Sequence, residues 1–124
     1  MEIKNAIITK TMLGREDHGV MTFVVYVKFD SCVECGVGMY AIDGYDRETD
    51  SRVFTASGLE AISKILEVVG VDRWEDLPGK YIRFKDNGWG STIDEIGNII
   101  EDKWFNLREF FSNTDKTYKS KEKE

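Results

Sequence analysis

The two cysteines of the chain stand three positions apart, in Cys32-Val-Glu-Cys35. Thiolates at this spacing can bind one tetrahedral zinc ion, but a zinc site needs four ligands. The sequence offers no second such pair and only one imidazole, His18, so a complete site would need carboxylates or a second chain. A redox role needs the first cysteine at the start of a helix, and the flanking residues predict loop and strand. We expect reduced thiols that form no disulfide and hold no metal or cofactor.

The single histidine, His18, lies in a predicted turn, Gly14–Gly19, beside Glu16 and Asp17. An imidazole there could act as a base or could simply be solvated, and we expect it to be exposed. Serine-nucleophile motifs, paired-histidine metal motifs and phosphate-binding glycine loops are absent from the sequence. No constellation of residues therefore argues for an enzyme.

Four carboxylates, Asp43, Asp46, Glu48 and Asp50, crowd one polar segment, Asp43–Arg52. Clustered carboxylates can bind calcium, but the spacing here lacks the alternating ligands, central glycine and terminal glutamate of a calcium loop. The segment therefore predicts a solvated acidic loop.

The net charge of the chain is −6. Such a charge repels phosphate backbones, which argues against direct binding of nucleic acid, and it suits a partner with a basic surface. No apolar run approaches the roughly 20 residues that cross a bilayer, and the start Met1-Glu-Ile-Lys-Asn does not resemble a secretory signal. The sequence predicts a cytoplasmic protein without a membrane partner.

Trp89 is the aromatic residue with the most suggestive position, because it lies between Gly88 and Gly90 at a predicted hairpin tip. An exposed tryptophan is typical of an interface anchor or a stacking platform. The alternative is that its ring folds back over the sheet. The candidate partner-binding residues are Trp89, Glu16, Asp17, His18, Asp43 and Asp46.

The elements that must position these residues begin with strands. Glu2 to Leu13 is rich in Ile and Thr, and Val20–Phe29 alternates cleanly, so the two segments predict an antiparallel hairpin. In the second strand, one face carries Met21, Phe23, Val25, Val27 and Phe29. Val37–Ile42 predicts a third strand, with Gly38 marking a bulge or a close approach.

The strongest helix signal follows the acidic segment. Ser57 and Glu60 form a capping box, and Gly70 is placed to end the helix. Its predicted core face repeats at helical spacing: Leu59, Ile62, Leu66 and Val69.

The remainder of the chain predicts two further strands and a short helix. One strand starts at Lys80 and the next, Ile93–Ile100, carries a predicted bulge at Gly97. Asn106 is placed to cap the terminal helix. We predict a single α+β domain over residues 1–112, an antiparallel sheet of about five strands with one main helix on one face, and a disordered tail over residues 113–124.

The chain also resembles small, poorly characterised proteins that bacteriophages and prophages encode. The resemblance covers roughly residues 1–110, and its motifs are Met1-Glu-Ile-Lys-Asn-Ala, Met12-Leu-Gly, Glu16-Asp-His-Gly19, Tyr40-Ala-Ile-Asp43, Val71-Asp-Arg-Trp-Glu-Asp-Leu-Pro-Gly-Lys80, Ile96-Gly-Asn98 and Asp102-Lys-Trp-Phe105. The related proteins are glycine-rich where this chain has Ser31-Cys-Val-Glu-Cys-Gly36. The resemblance implies a protein that acts in the host cytoplasm during infection or lysogeny and inhibits a host defence system, as anti-CRISPR proteins do.

Three functions remain open at this point. The first is an inhibitor that docks its acidic, aromatic-bearing surface on a host defence protein or nuclease complex. The second is a small-molecule binder that sequesters a defence signalling nucleotide. The third is an enzyme or zinc-binding module that uses Cys32, Cys35 and His18. The oligomeric state is also open, with a homodimer among the alternatives.

Overall fold

The computed structural model describes residues 2–30, 33–88 and 91–113. Within them the chain forms eight strands, a long helix, a single 3₁₀ turn and a helical stretch over residues 107–113. The bounds are β1 Glu2–Asp17, β2 Val20–Phe29, β3 Val33–Ala41, β4 Asp43–Asp46, β5 Ser51–Phe54, α1 Ala56–Val69, the 3₁₀ turn Trp74–Asp76, β6 Tyr81–Asp86, β7 Glu95–Asn98 and β8 Trp104–Asn106.

Strands β1 and β2 form the predicted hairpin, and β2 has the predicted bounds. Strand β1 runs on beyond Leu13 to Asp17, so the wide turn predicted over residues 14–19 is wrong. Only His18 and Gly19 form the turn, with φ angles of 53° and 79°. Two residues with positive φ give the hairpin loop whose twist matches the flanking strands, which lets the pairing continue to its end.

The main sheet is antiparallel and has the order β3-β2-β1-β6-β7-β8. The α+β class is confirmed, with six strands in this sheet and two more in a small separate one. Directly opposite residues share a face of a sheet, and the inward face packs on α1 to form the core. The buried side chains of this core include Ala6, Ile8, Phe23, Val25, Val27, Val37, Ala61, Ile65, Ile82, Phe84 and Ile96.

Strand β3 begins at Val33, earlier than predicted, and contains the predicted irregularity at Gly38. Gly38 has a φ of 112°, and a Cβ atom there would lie 2.5 Å from the ring of Phe23. Glycine is therefore required both by the backbone conformation and by the close approach of the ring.

Helix α1 starts one residue before the predicted capping residue. Thr55 is the N-cap, and its hydroxyl accepts a hydrogen bond from the Gly58 N–H at 3.1 Å, so the capping box predicted at Ser57 is wrong. Gly70 ends the helix with a φ of 91°, as predicted. The fully buried positions are Gly58, Ala61, Ile65 and Val68. This row precedes the predicted row by one residue, which leaves Leu59 on the surface.

The acidic segment predicted as a loop is instead most of a second, two-stranded sheet. Strand β4 pairs with β5 in the register Asp43↔Phe54 to Asp46↔Ser51. All four residues of β5 are exposed. The sequence therefore shows no alternation of apolar and polar residues that would predict a strand there.

The C-terminal part contains β8, a strand that the sequence did not predict. Gly97 of β7 pairs regularly with Arg83 and Trp104, so the predicted bulge is wrong. A Cβ atom at Gly97 would lie 2.5 Å from the Trp104 ring, so the glycine provides the space for the indole. Asn106 caps the helical residues 107–113 through the Glu109 N–H at 2.9 Å, as predicted.

Residue 113 is the last helical residue that the structure describes, and the rest of the predicted tail, residues 114–124, lies outside the described residues. None of the helices in the described ranges has the length and apolar character that crossing a bilayer requires.

Candidate functional site

Of the two cysteines, only Cys35 belongs to the described residues. Cys35 lies on β3 opposite Val27, half-buried against the core. Cys32 and Trp89 both fall outside the described residues. Within the described ranges, no group of three or more Cys, His, Asp or Glu side chains could hold a metal ion together.

The predicted residues around the β1–β2 turn lie at the far end of the hairpin. Glu16 and His18 are exposed, and the backbone of Asp17 pairs with Val20. The backbone of both residues therefore belongs to strand β1 and not to a loop.

Asp43 takes part in the fold as well as in the acidic surface. Its side chain is only 5% exposed, and its carboxylate accepts hydrogen bonds from the Met21 N–H at 3.2 Å and from the guanidinium of Arg52. The hydrogen bond from Arg52 lowers the pKa of the Asp43 carboxyl below its ordinary value. These contacts attach the small sheet to β2.

Asp46 closes the turn between β4 and β5. Its carboxylate accepts hydrogen bonds from the Glu48 N–H at 3.1 Å and from the Thr49 hydroxyl at 3.0 Å. An aspartate that bonds to its own backbone two residues on is the usual way such turns are stabilised. Asp43 and Asp46 are therefore brought together in one hairpin, but each carboxylate is engaged within it.

The structure contains an open apolar groove of about 520 Å³ that the sequence did not predict. It forms where β1 and β2 extend past the first turn of α1, with the small sheet as its far wall. We call this feature the groove and define it by its lining residues: Leu13, Met21, Ile42, Asp43, Phe54, Thr55, Ala56, Gly58, Leu59 and Ile62.

Large apolar side chains stand exposed around the groove. Phe54 is 89% exposed, Leu59 is 74% exposed and Leu13 is 40% exposed, whereas Phe84 in the core is fully buried. Single exposed apolar residues are ordinary, whereas several around one concave surface are typical of interaction sites.

Short polar contacts fix the groove where the helix meets the small sheet. The Thr55 hydroxyl donates to the Ile42 carbonyl at 2.8 Å while it caps α1, and the Ile42 N–H donates to the Met21 carbonyl at 2.8 Å. A Cβ atom at Gly58 would lie 2.0 Å from the Ile42 carbonyl oxygen. Only glycine allows this approach, so the lining is preorganised by its backbone.

The segments that supply the lining are acidic. Residues 13–21 and 42–62 together carry seven acidic residues against three basic ones, a net charge of −4 out of −6 for the whole chain. These segments therefore contain more acidic than basic residues, as the whole chain does.

Two signals in the sequence pointed toward the groove without locating it. Val53 and Phe54 form an apolar pair between a polar segment and the capping residue, and Leu59 belongs to the apolar periodicity of α1. In the sequence, Val53 and Phe54 resemble a buried connection, and Leu59 resembles a core position of the helix. Only the relative placement of helix and hairpin decides that both remain exposed.

Comparisons with known proteins add no relative to this description. No family model, curated protein or solved structure matches the chain.

Proposed function

We propose that the protein is a binding protein whose groove takes up a short amphipathic segment of a partner protein, apolar on one side and basic on the other. The observation that carries the proposal is the exposure of Phe54, Leu59 and Leu13 around one concave apolar surface. Aromatic and aliphatic side chains in such positions act as anchors that dominate binding energy.

The negative charge of the segments that line the groove favours a partner segment with basic residues. The net charge of −4 around the lining favours a segment with lysine or arginine beside its apolar residues, and complementary charge also speeds association. A groove of about 520 Å³ accommodates a few side chains, which suits a helix or an extended segment rather than a whole domain.

The resemblance to phage-encoded proteins suggests the setting for this binding. An inhibitor of a host defence protein or nuclease complex would occupy a basic surface that otherwise binds nucleic acid. The signalling-nucleotide alternative is less well supported, because the lining of the groove is almost wholly apolar and offers few donors to phosphate groups.

Two synthetic peptides test the groove directly. One is an amphipathic peptide of leucine and lysine, and the other has glutamate in place of every lysine. Isothermal titration should show binding of the lysine peptide and much weaker binding of the glutamate peptide. Phe54→Ala should weaken binding of the lysine peptide by about 2 kcal/mol, since it removes an anchor.

Ile100→Ala provides the matched control, because Ile100 is 86% exposed and does not line the groove. It removes a similar apolar side chain and should leave peptide binding unchanged. Equal losses in the two variants, or equal binding of the two peptides, would refute the proposal.

A pull-down then identifies the partner, with the wild type, Ile100→Ala and Phe54→Ala as the three baits. A protein that the wild type and Ile100→Ala retain but Phe54→Ala loses is a groove partner. If that protein is a component of a defence system, the setting suggested by the resemblance is correct, and if it is not, the groove proposal stands while the setting is wrong.

A further inference from the structure

The outward side of the main sheet is a second surface, distinct from the groove. Along β6, Ile82 and Phe84 are buried beneath α1, so Tyr81, Arg83 and Lys85 point to the opposite side. Helix α1, the helical residues 107–113 and the small sheet lie on the core side. On the opposite side Tyr81 and Lys28 are exposed, whereas Thr22 and Val24 of β2 are buried. We call the opposite side the outer sheet face.

Strand pairing arranges the outer sheet face into rows that cross the strands. In one row, Ile7 of β1 lies between Lys28 of β2 and Tyr81 of β6. In the next, Arg83 is followed by Gly97 and then by Trp104. Beyond the bulge in β1, Lys10 lies opposite Tyr26.

The outer sheet face carries cations although the whole protein is acidic. Its described charged side chains are four cations and three acids: Lys10, Lys28, Arg83 and Lys85, with Glu34, Glu95 and Asp102, which accepts a hydrogen bond from the Trp104 indole at 2.9 Å. The charges of these side chains sum to +1 in a chain of −6. At moderate salt, charges interact over only about 10 Å, so a ligand on this face responds to the local charge rather than the total.

Two of the four cations are not neutralised by a carboxylate. Lys10 pairs with Glu34 at 3.8 Å and Lys85 with Glu95 at 3.1 Å. Lys28 is exposed and has no ion pair among the described residues. Arg83 donates to the Asn98 and Glu101 carbonyls at 2.6 and 2.8 Å, contacts that fix the guanidinium without cancelling its charge.

Aromatic rings stand among these cations. Tyr81 is 60% exposed. The Tyr26 ring is half-buried with the Lys10 ammonium 4.8 Å from its centroid, and the Trp104 ring has the Arg83 guanidinium 4.9 Å from its centroid. Three of the four cations, Lys10, Arg83 and Lys85, are thus held next to rings.

We propose that the outer sheet face binds single-stranded nucleic acid. Bases stack on the Tyr81 and Tyr26 rings, while Lys28 and Arg83 contact the phosphates on either side. Interleaved rings and cations on an open surface are the arrangement that binds unpaired strands, because every base offers a flat face and every linkage a charge. A duplex keeps its bases stacked on each other and cannot use the rings.

This proposal departs from the expectation based on net charge. That expectation treats the body as uniformly acidic, whereas the described charged side chains of the outer sheet face include more cations than acids. The two surfaces lie on opposite sides of the main sheet, so they can be occupied independently.

Fluorescence anisotropy with labelled oligothymidylate and oligouridylate tests the proposal on the full chain. Binding should appear at low salt and weaken as salt rises, because phosphate contacts release counterions. Tyr81→Ala should weaken it by about tenfold through the loss of one stacked base, and Tyr81→Phe should retain it. Lys28→Glu should weaken it further and make it less sensitive to salt.

Arg47→Glu is the matched control for Lys28→Glu, since Arg47 is an exposed cation of the β4–β5 turn and its reversal changes the net charge equally. It should leave oligonucleotide binding essentially unchanged, as should Phe54→Ala in the groove. Absence of binding at low salt, equal losses in Arg47→Glu and Lys28→Glu, or equally tight binding of a duplex would each overturn the proposal. Unchanged melting temperatures for the variants establish that these outcomes report binding and not unfolding.

Discussion

The six-stranded sheet and the two-stranded sheet are stabilised by different forces. In the large sheet, inward side chains such as Phe23, Ile82 and Phe84 are fully buried under α1. In the small sheet every residue of β5 is exposed, and an isolated two-stranded hairpin is only marginally stable in water. Polar contacts at its base attach it instead: Asp43 to Arg52 and Met21, and Thr55 to Ile42.

This difference divides the protein into two parts: the body, which is the large sheet with α1, and the wall, which is the small sheet of β4 and β5. Burial of apolar side chains stabilises the body. Polar contacts attach the wall, and Phe54 within it is 89% exposed. The comparison predicts that substitutions in the two sheets change the free energy of unfolding by different amounts and through different interactions.

The largest effect is expected in the body, for Phe84→Ala. The Phe84 ring is fully buried with its centroid 4.7 Å from that of Phe29, so its removal leaves a cavity. Thermal and denaturant unfolding should show a loss of about 3–5 kcal/mol. Tyr81→Ala on the outward side of the same strand should change the unfolding free energy by less than about 0.5 kcal/mol. Similar losses in both would mean that the outer sheet face is covered.

The next effect is expected where body and wall meet, for Gly58→Ala. The added Cβ atom would overlap the Ile42 backbone, which must move and take β4 with it. We expect a loss of about 2 kcal/mol and faster amide hydrogen exchange over residues 43–54. Gly14→Ala is the control, because nothing lies within 4 Å of a Cβ atom there. Unchanged exchange in the wall would show that the groove is not preorganised by this contact.

A smaller effect separates the two candidate caps of α1. Thr55→Ala removes both the cap and the bond to Ile42, and should cost about 1 kcal/mol of unfolding free energy. Ser57→Ala should have almost no effect, because the structure assigns it no capping bond. Denaturant titration of both variants decides between them, and the reverse order of effects would restore the capping box at Ser57.

The smallest effect is a pH dependence of the wall. The hydrogen bond from Arg52 depresses the pKa of Asp43 in the folded state. The stability it contributes is therefore fully present above the unfolded pKa of about 3.9 and is lost as pH falls through the folded value. Asp43→Asn should flatten the acid part of the stability curve by about 1 kcal/mol at most.

The Asp43 prediction is measured by denaturant titration between neutral pH and about pH 3. Part of the slope should persist in Asp43→Asn, because Asp76 and Asp86 also have lowered pKa values through their bonds to Arg73 and to the Gly88 N–H. An unchanged curve in Asp43→Asn would mean that Asp43 does not attach the wall.

Local patterns in the sequence determined the parts of this protein whose neighbours lie close along the chain. The alternation of Val20–Phe29 fixed a strand with the correct bounds and inward face, because a strand shows its burial with period two. Gly70 marked the end of α1, since only glycine adopts a φ of 91° without strain. Asn106 likewise marked the start of the terminal helical residues through a cap that spans three positions.

Contacts between distant segments decided everything else. The polar composition of β4 and β5 conceals strands that pair without burying a face, and the buried row of α1 depends on which side meets the sheet. The groove exists because β1 and β2 extend past the helix and Gly58 lets the Ile42 carbonyl approach. The sum of charges could not show that the described side chains of the outer sheet face include more cations than acids. Separation of charge is a property of the folded surface, and the order of residues along the chain does not reveal it.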